Sequence, residues 1–507
     1  MLMQLTCLYV AAVLLPGIAF GADTRVAEAA MREDPAAVRT LLQQKADVNA
    51  TLPDGATALH WAVNSDDLQT VGLLIQAGAN VKAKDRYGFT PLYFACTNGS
   101  AAVIGKLLDA GADPNATDAG GETALMTATR SGSIDAVKAL LQHGADVKTK
   151  DGVTQQTALM WAVRSNFSAA VQILLEYGAE INARTRTGKT PAPRPPGAGG
   201  GSHGVGIVRS GWPEQGFQGE TPGGTTPLLY AARDGRTGIV RVLLAAKADV
   251  QQADVNGITP LLMAITNNHL DTAKLLLENA AAPNAADWWG RTPLYATVEI
   301  RNRDYGRNNE HEIDRPAALE VIRMLLDRGA NVDARTKEVP PGRRFVTPLG
   351  DLSWVDFTGQ TPFLRAALAG DITVMRLLLE KGADPNIATF AGTTALMAAA
   401  GVNWMTGQTF TESTEALMQA VQLCLEKGGD VNAKNSMGVT AVIGAANRGS
   451  DGILEFLVKK GARLDIKDKE GRTPLVWAEG VFLATNAPEA KISTMALIKR
   501  LLTQGVQ

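Results

Sequence analysis

Apolar and polar positions along this chain of 507 residues recur with a period of about 33 residues. Each unit opens with Thr-Pro-Leu or a close variant and later carries an aliphatic pair. The triplets begin at Thr57, Thr90, Thr123, Thr157, Thr226, Thr259, Thr292, Thr361, Thr394, Thr440 and Thr473. The pairs begin at Leu74, Leu107, Leu140, Leu174, Leu243, Leu276, Leu325, Leu378, Cys424, Leu457 and Leu501. This repetition predicts a repeat array, in which stability comes from stacking neighbours.

Each unit is predicted to form two helices. Thr90 can cap the first helix through its side-chain oxygen, and a proline at the next position already has the helical φ angle. Gly99 then ends this helix, and Leu107 with Leu108 supplies the buried stripe of a second, antiparallel helix. Gly111 is a left-handed C-terminal cap. Residues 112–121 are rich in turn formers and predict a projecting hairpin that leads to the next unit.

The pattern D-x-x-G-x-T-P-L-x-x-A, with a G-A-D-V-N-A ending, resembles the ankyrin repeat over residues 25–507. The resemblance implies an all-α repeat solenoid of about eleven repeats with β-hairpin fingers, which binds protein partners on its concave side. Leu41-Leu42 has no triplet before it and marks a half-formed repeat at the start. The histidine that the family places after the triplet occurs only as His60, so apolar packing is expected to replace its hydrogen bonds elsewhere.

The interruptions of the period define the domain organisation. Two of them, at 301–315 and 401–414, are expected to separate the two helices of their repeats, whereas 336–355 lengthens a finger. The segments are 1–22, a signal peptide; 23–53, a partial N-terminal capping repeat; 54–187, repeats; 188–222, a Pro/Gly-rich insertion; 223–467, repeats with insertions at 301–315, 336–355 and 401–414; and 468–507, a C-terminal capping repeat.

Residues 1–22 have the layout of a cleaved secretory signal, with an apolar run from Leu8 to Leu15 and small residues at Ala19 and Gly21. No Lys or Arg precedes the run, which departs from the usual pattern. The alternative, a membrane anchor, would need about 20 apolar residues. The sequence therefore predicts a periplasmic or secreted protein with no membrane span after signal cleavage.

The chain carries 49 Lys and Arg against 51 Asp and Glu, a formal charge of −2. This balance gives no reason to expect nucleic acid as a partner. Polar residues near both ends suit the caps of a solenoid, which favours a monomer. Cys96 and Cys424 both take apolar core positions and lie far apart in the array, so neither a disulfide nor a metal site is predicted.

Few residues suggest catalytic chemistry. Gly199–Gly204 fits G-x-G-x-x-G but follows two prolines and opens no helix, so dinucleotide binding is not expected. Glu310-His311-Glu312 has no second histidine at ligand spacing and is interpreted as a solvated loop. The remaining histidines are scattered over separate repeats. The chain is therefore predicted to be non-catalytic, with no cofactor.

Aromatic residues occur at two kinds of position. Trp61, Phe94, Trp161, Tyr230 and Trp477 share the second position after the triplet's third residue, which is interpreted as core. Fingertips project from the stack in the family, and exposed aromatic residues and arginine there often dominate binding energy. The candidate partner-binding residues are Arg86, Tyr87, Phe89, Trp288, Trp289, Arg291, Phe357 and Phe390.

Three functions remain open from the sequence. The leading hypothesis is a protein–protein interaction scaffold that acts outside the cytoplasm and holds an unidentified protein partner. The second is an accessory protein that protects or supports an exported enzyme. The third is an enzyme with its site in the insertions, against which the absence of any spaced ligand set counts.

Overall fold

The computed structural model describes residues 23–187, 223–302, 314–338, 355–356, 358–403, 413–481 and 489–505. The chain divides into two compact units, unit 1 up to Val153 and unit 2 from Thr154 onward. The predicted signal peptide (1–22), the Pro/Gly-rich insertion (188–222) with its glycine motif, the segment Glu310–Glu312 and the fingertip residue Phe357 lie outside the described residues.

The described part of the chain contains 24 α-helices in consecutive pairs. Unit 1 contains α1 (Arg25–Met31), α2 (Pro35–Gln43), α3 (Ala58–Asn64), α4 (Leu68–Gln76), α5 (Pro91–Asn98), α6 (Ala101–Asp109), α7 (Ala124–Ser131) and α8 (Ile134–Gln142). Unit 2 contains α9 (Ala158–Arg164), α10 (Ser168–Glu176), α11 (Pro227–Arg233), α12 (Thr237–Ala245), α13 (Pro260–Thr266), α14 (Leu270–Glu278), α15 (Pro293–Arg301), α16 (Arg315–Asp327), α17 (Pro362–Ala369), α18 (Ile372–Glu380), α19 (Ala395–Ala400), α20 (Thr414–Glu426), α21 (Ala441–Arg448), α22 (Asp451–Lys459), α23 (Pro474–Gly480) and α24 (Ile492–Thr503).

Stacking is between like helices of neighbouring repeats. In unit 1 the first helices α1, α3, α5 and α7 contact one another in order, and the second helices α2, α4, α6 and α8 form a parallel row. In unit 2 the first helices from α9 to α23 likewise contact one another in order. Within each unit, a helix pair therefore buries its apolar face against the next pair, which confirms the all-α repeat solenoid.

The N-terminal repeat, expected to be half-formed, contains both helices of a pair. Segment 23–53 lacks a triplet, but Asp34 caps α2 by accepting the backbone N–H of Ala37 at 2.9 Å, and Pro35 takes the first helical position. An aspartate cap and a proline thus supply the helix start that threonine and proline supply elsewhere. Segment 23–53 thus begins with a helix pair although it lacks the triplet.

The triplet threonines start the first helices as predicted. In α5, Thr90 Oγ1 accepts the backbone N–H of Tyr93, and the C-terminal cap Gly99 has φ +69°. The threonine side chain makes the equivalent bond, at 3.2–3.4 Å, in the repeats that begin at Thr123, Thr157, Thr226, Thr259, Thr292, Thr361 and Thr394. Thr440 and Thr473 make no such bond.

The first member of each aliphatic pair forms the core between the two helices of its repeat. Leu107 and Leu140 in unit 1 and Leu378 and Leu457 in unit 2 are fully buried. Cys424, which replaces leucine at this position, is 2% exposed, and Cys96 is also buried. The interpretation of both cysteines as core residues is therefore confirmed.

Each repeat is followed by a projecting turn, the finger, which precedes the next triplet. The Asp85 carboxylate accepts the backbone N–H groups of Tyr87 and Phe89 at 2.9 and 2.8 Å. The same turn recurs at Asp118, Asp254, Asn435 and Asp468. Among the described residues, strand pairing is limited to the isolated bridges Thr117–Thr123 and Thr187–Gly223. Carboxylate or amide turns thus hold the fingers, where β-hairpins were expected.

Backbone hydrogen bonds of 2.8–2.9 Å join successive fingers. They run from Arg86 N–H to Asp54 O and from Gly152 N–H to Gly120 O in unit 1, and from Trp288 N–H to Asn256 O, Phe390 N–H to Thr358 O and Lys469 N–H to Met437 O in unit 2. A glycine permits this close approach. Gly55 has φ +81°, and a Cβ atom there would lie 2.9 Å from the nitrogen of Arg86.

Asparagine side chains add a second link between neighbouring repeats. Asn49 Nδ2 donates to Gly78 O at 3.1 Å, and its Oδ1 accepts the N–H of Asn80 at 2.7 Å. Asn115, Asn284 and Asn432 bridge their neighbours in the same way. The asparagine of the G-A-D-V-N-A ending therefore supplies hydrogen-bond partners to a backbone carbonyl and a backbone N–H of the next repeat.

The helix bounds on either side locate the predicted insertions along the chain. Residues 302–314 lie between α15 and α16, and residues 401–413 lie between α19 and α20, so each segment separates the two helices of one repeat. Segment 336–355 precedes α17 and follows α16, in a finger position. In the part of the chain that the structure describes, no helix is long and apolar enough to span a bilayer.

Candidate functional site

The finger of unit 1 that precedes α5 carries a row of aromatic rings, here called the Tyr87 patch (Arg86, Tyr87, Phe89 and Tyr93). The Phe89 and Tyr93 rings stack with centroids 4.2 Å apart, and the Tyr87 ring lies 6.5 Å from that of Phe89. The Arg86 guanidinium lies 4.6 Å above the Tyr87 ring and donates to its hydroxyl. Tyr87 is 56% exposed, whereas Phe89 and Tyr93 are half-buried.

Local interactions fix the position of this patch. Besides the Asp85 turn and the bond from Arg86 to Asp54, the ring of His60 reaches the base of the finger. His60 Nε2 lies 3.2 Å from the carbonyl oxygen of Phe89, and its Nδ1 accepts the backbone N–H of Thr57 at 3.1 Å. Because a carbonyl oxygen only accepts, Nε2 carries the proton. Burial lowers the pKa of His60, which keeps this ring neutral.

A shallow depression, with room for about one water-sized group, continues from the patch towards the next finger of unit 1. Its walls combine ring faces with backbone and one carboxylate. It is lined by Gly88, Phe89, Thr90, Tyr93, Ala116, Thr117, Asp118 and Ala124. Burial and the nearby Glu122 raise the pKa of the Tyr93 hydroxyl, so this tyrosine is a neutral hydrogen-bonding group at physiological pH.

The finger at 287–291 does not present the surface that its sequence suggests. Trp289 is 4% exposed and Arg291 8% exposed, so the expectation that both project into solvent was wrong. Arg291 pairs with the buried Asp287 at 2.8 Å inside the finger. Lys337 donates its backbone N–H to Trp289 O at 2.8 Å, which places the residues after α16 against this finger. Trp288 is half-buried, with its ring centroid 5.6 Å from that of Trp289.

Phe390 is 46% exposed at a fingertip of unit 2. The Arg335 guanidinium lies 4.3 Å from the centre of its ring and also donates to Gly359 O and Ala388 O at 3.1 and 2.7 Å. This side chain therefore meets the expectation of an exposed aromatic residue, held by a cation–π contact.

The aromatic position predicted to be core divides into two groups. Tyr230 and Trp477 are buried, as expected. Trp61, Phe94 and Trp161 are half-buried. The position thus lies at the edge of the core, and its rings also form part of the open surface of the first helices.

The first helices of unit 2 differ in how much of their surface is exposed to solvent. Every residue of α15, α17 and α19 is buried, including Arg365 in α17, which donates to Asn302 O at 3.1 Å. On α9, in contrast, Arg164 is exposed. A helix buried on all sides offers no surface to a partner. The accessible surface of the first helices therefore does not include α15, α17 or α19.

The sequence analysis did not include Tyr93 or Arg164 among the candidate partner-binding residues. Tyr93 follows the triplet at the family's histidine position, where Met126, Met160 and Leu229 are buried as expected for apolar packing. Arg164 stands seven residues after a triplet threonine, a position that no repeat landmark marks. The recurrence of arginine at this position in three consecutive repeats, as Arg130, Arg164 and Arg233, was the available signal.

Reactive groups are few in the described residues. Burial raises the pKa of the Cys424 thiol to about 12 and that of Cys96 further still, so neither is a thiolate near neutral pH. The described ranges contain no group of three His, Cys, Asp or Glu side chains arranged to hold a metal ion. The arrangement favours binding through aromatic and guanidinium groups.

Comparisons with known proteins agree with this architecture. The family model "Ankyrin repeats (3 copies)" matches residues 26–118, 104–185, 213–287, 251–336 and 413–480, and the model "Ankyrin repeat" matches residues 358–390. The ankyrin repeat and KH domain-containing protein mask of Drosophila melanogaster is 28% identical over 156 residues, which are 31% of this chain and 2% of that protein. This chain thus spans a small fraction of that relative.

A solved structure is also similar. The crystal structure of the ankyrin repeat domain of Bcl-3, a member of the IkappaB protein family, is 27% identical and covers 50% of this chain and 98% of its own, with a TM-score of 0.39. The family models together match more than half of the residues. The chain belongs to the ankyrin-repeat family.

Proposed function

We propose that this chain is a non-catalytic scaffold that binds a protein partner through the Tyr87 patch. Ankyrin repeats are typically protein-binding modules without catalytic activity. The observation that carries the proposal is the exposure of Tyr87 at the end of a continuous aromatic row. Phe89 and Tyr93 of the patch also line the shallow depression that leads towards the next finger.

Preorganisation supports this surface as the contact. Arg86 holds the Tyr87 ring, the Asp85 turn fixes the finger backbone, and His60 anchors Phe89 O, so binding orders few additional groups. Tyrosine and arginine are enriched among residues whose loss costs about 2 kcal/mol or more of binding free energy. The Trp289 ring cannot contribute to binding in this way because it is already buried.

Capture of the partner from the native extract by the tagged full chain tests the proposal. A Tyr87→Ala variant is compared with Tyr177→Ala, which removes a tyrosine of similar exposure, 46%, at the end of α10. Loss of one captured protein with Tyr87→Ala, and retention with Tyr177→Ala, is expected. Equal capture by both variants would refute the patch as the binding surface.

We further propose that the scaffold acts outside the cytoplasm as a monomer. The support is the signal-like pattern of residues 1–22 and the polar residues near both solenoid ends. Fractionation of cells that express the tagged chain, with N-terminal sequencing of the product, is expected to give an exported protein that starts near Asp23. Retention of the uncleaved chain in the cytoplasm would overturn this part of the proposal.

A further inference from the structure

Two arginines take the same position in consecutive repeats, seven residues after the triplet threonine. In the earlier repeat, Arg130 pairs with Glu122, with Nη2 and Oε1 3.0 Å apart. In the later repeat, Gln156 stands where Glu122 stands, and Arg164 Nη1 donates to Gln156 Oε1 at 3.0 Å. The side-chain geometry is thus retained, but a neutral amide replaces the carboxylate.

The Arg164 guanidinium is held in place by aromatic rings. It lies 4.9 Å from the centre of the Trp161 ring and 5.6 Å from that of Tyr230, while its side chain remains exposed. Stacking of this kind leaves the N–H groups at the edge of the guanidinium plane available. A guanidinium carries five N–H donors, and within the described residues Gln156 is the acceptor it meets.

In the following repeat the arginine at this position is paired with a carboxylate, unlike Arg164. Arg233, at the same position of that repeat, pairs with Asp234 with 2.7 Å between Nε and Oδ1. Arg130 is neutralised by Glu122. In the part of the chain that the structure describes, no carboxylate lies within ion-pair distance of Arg164.

We propose that Arg164, on its platform of Trp161 and Tyr230, recognises a carboxylate side chain in an acidic segment of the protein partner. The inference rests on the proposed function, because it names the chemistry of a partner that the scaffold binds. A partner carboxylate would take the role that Glu122 has beside Arg130. Guanidinium and carboxylate form two parallel charge-assisted hydrogen bonds, which fix the orientation of the incoming side chain.

Fluorescence anisotropy of labelled hexaglutamate with the full chain at low salt tests this inference, with hexaglutamine as the neutral probe. The wild-type chain is expected to bind hexaglutamate in preference to hexaglutamine. Arg164→Gln is expected to weaken this binding at least about tenfold, as for other charge-assisted bonds. Arg241→Gln, which removes an exposed arginine of α12, is expected to change it less than about twofold.

A second variant keeps the Arg164 guanidinium but pairs it with a carboxylate of the chain itself. Gln156→Glu recreates the pair of Glu122 and Arg130, so it is expected to weaken binding of hexaglutamate as much as Arg164→Gln does. Absence of a preference for hexaglutamate, equal losses in Arg164→Gln and Arg241→Gln, or wild-type binding by Gln156→Glu would overturn the carboxylate site. Since capture through Tyr87 is measured separately, these results would leave the proposed function standing.

Discussion

Replacement of Gly55 by alanine tests how strongly neighbouring fingers support each other beneath the Tyr87 patch. Gly55 has φ +81°, and an added Cβ atom would lie 2.9 Å from the nitrogen of Arg86, whose N–H donates to Asp54 O. Gly78, at the end of the same repeat, has φ +87° and no atom within 4 Å of such a Cβ. The two variants share the cost of a left-handed alanine and differ in the contact between fingers.

The magnitudes follow from these two contributions. A left-handed conformation costs a residue with a Cβ atom about 1 kcal/mol relative to glycine, which is the whole effect expected for Gly78→Ala. Gly55→Ala also disrupts the bond from Arg86 to Asp54, worth about 1 kcal/mol, and adds steric repulsion. The free energy of unfolding is therefore expected to fall by about 2–3 kcal/mol in Gly55→Ala.

Urea unfolding of the full chain measures the loss of stability in each variant. The two losses can be compared directly because the two glycines flank the same helix pair. Hydrogen exchange supplies the local measurement. The amide of Arg86 is expected to exchange about tenfold faster in Gly55→Ala than in Gly78→Ala, which corresponds to about 1.4 kcal/mol. Equal losses of stability and equal exchange at Arg86 would refute the idea that the finger contact contributes to the fold.

Three further predictions concern buried groups. Burial holds the pKa of His60 below its usual value of about 6.5, so the stability it supports is present above that pH and is lost as pH falls; His60→Met should remove this slope in urea titrations between pH 5 and 7. Cys96 and Cys424 should resist alkylation in the native state and react in urea, as peptide mapping by mass spectrometry would show. Trp289→Ala should destabilise the chain by about 3–5 kcal/mol and the half-buried Trp288→Ala by clearly less in thermal unfolding; equal losses would contradict the burial.

Local patterns were sufficient to predict the repeat unit. Thr90, Gly99 and Gly111 act within a few residues of their own position, so caps and turns could be predicted without knowledge of distant contacts. At 23–53 the triplet is absent, and Asp34 caps a helix in its place. The sequence analysis passed over the aspartate turn of the fingers, although the D-x-x-G pattern contains that signal.

The candidate site could be predicted only in part, because exposure depends on contacts far along the chain. Tyr87 and Phe390 are exposed, as expected. Trp289 and Arg291 have the same local pattern but are buried, and the backbone of Lys337 bonds to Trp289 O across 48 positions of sequence. No property of the finger itself distinguishes these outcomes.

The first helices differ in whether they keep exposed positions apart from the stacking core. Arg164 stands seven residues after its triplet threonine, exposed beside Trp161, and carries no part of the stacking core. In α17 the corresponding position is Leu368, which is fully buried, as is Arg365 three residues before it. In α17 both positions belong to the core, where an unpaired charge would cost several kcal/mol. Partner specificity can therefore change through α9 at little cost in stability, whereas α17 is constrained by packing.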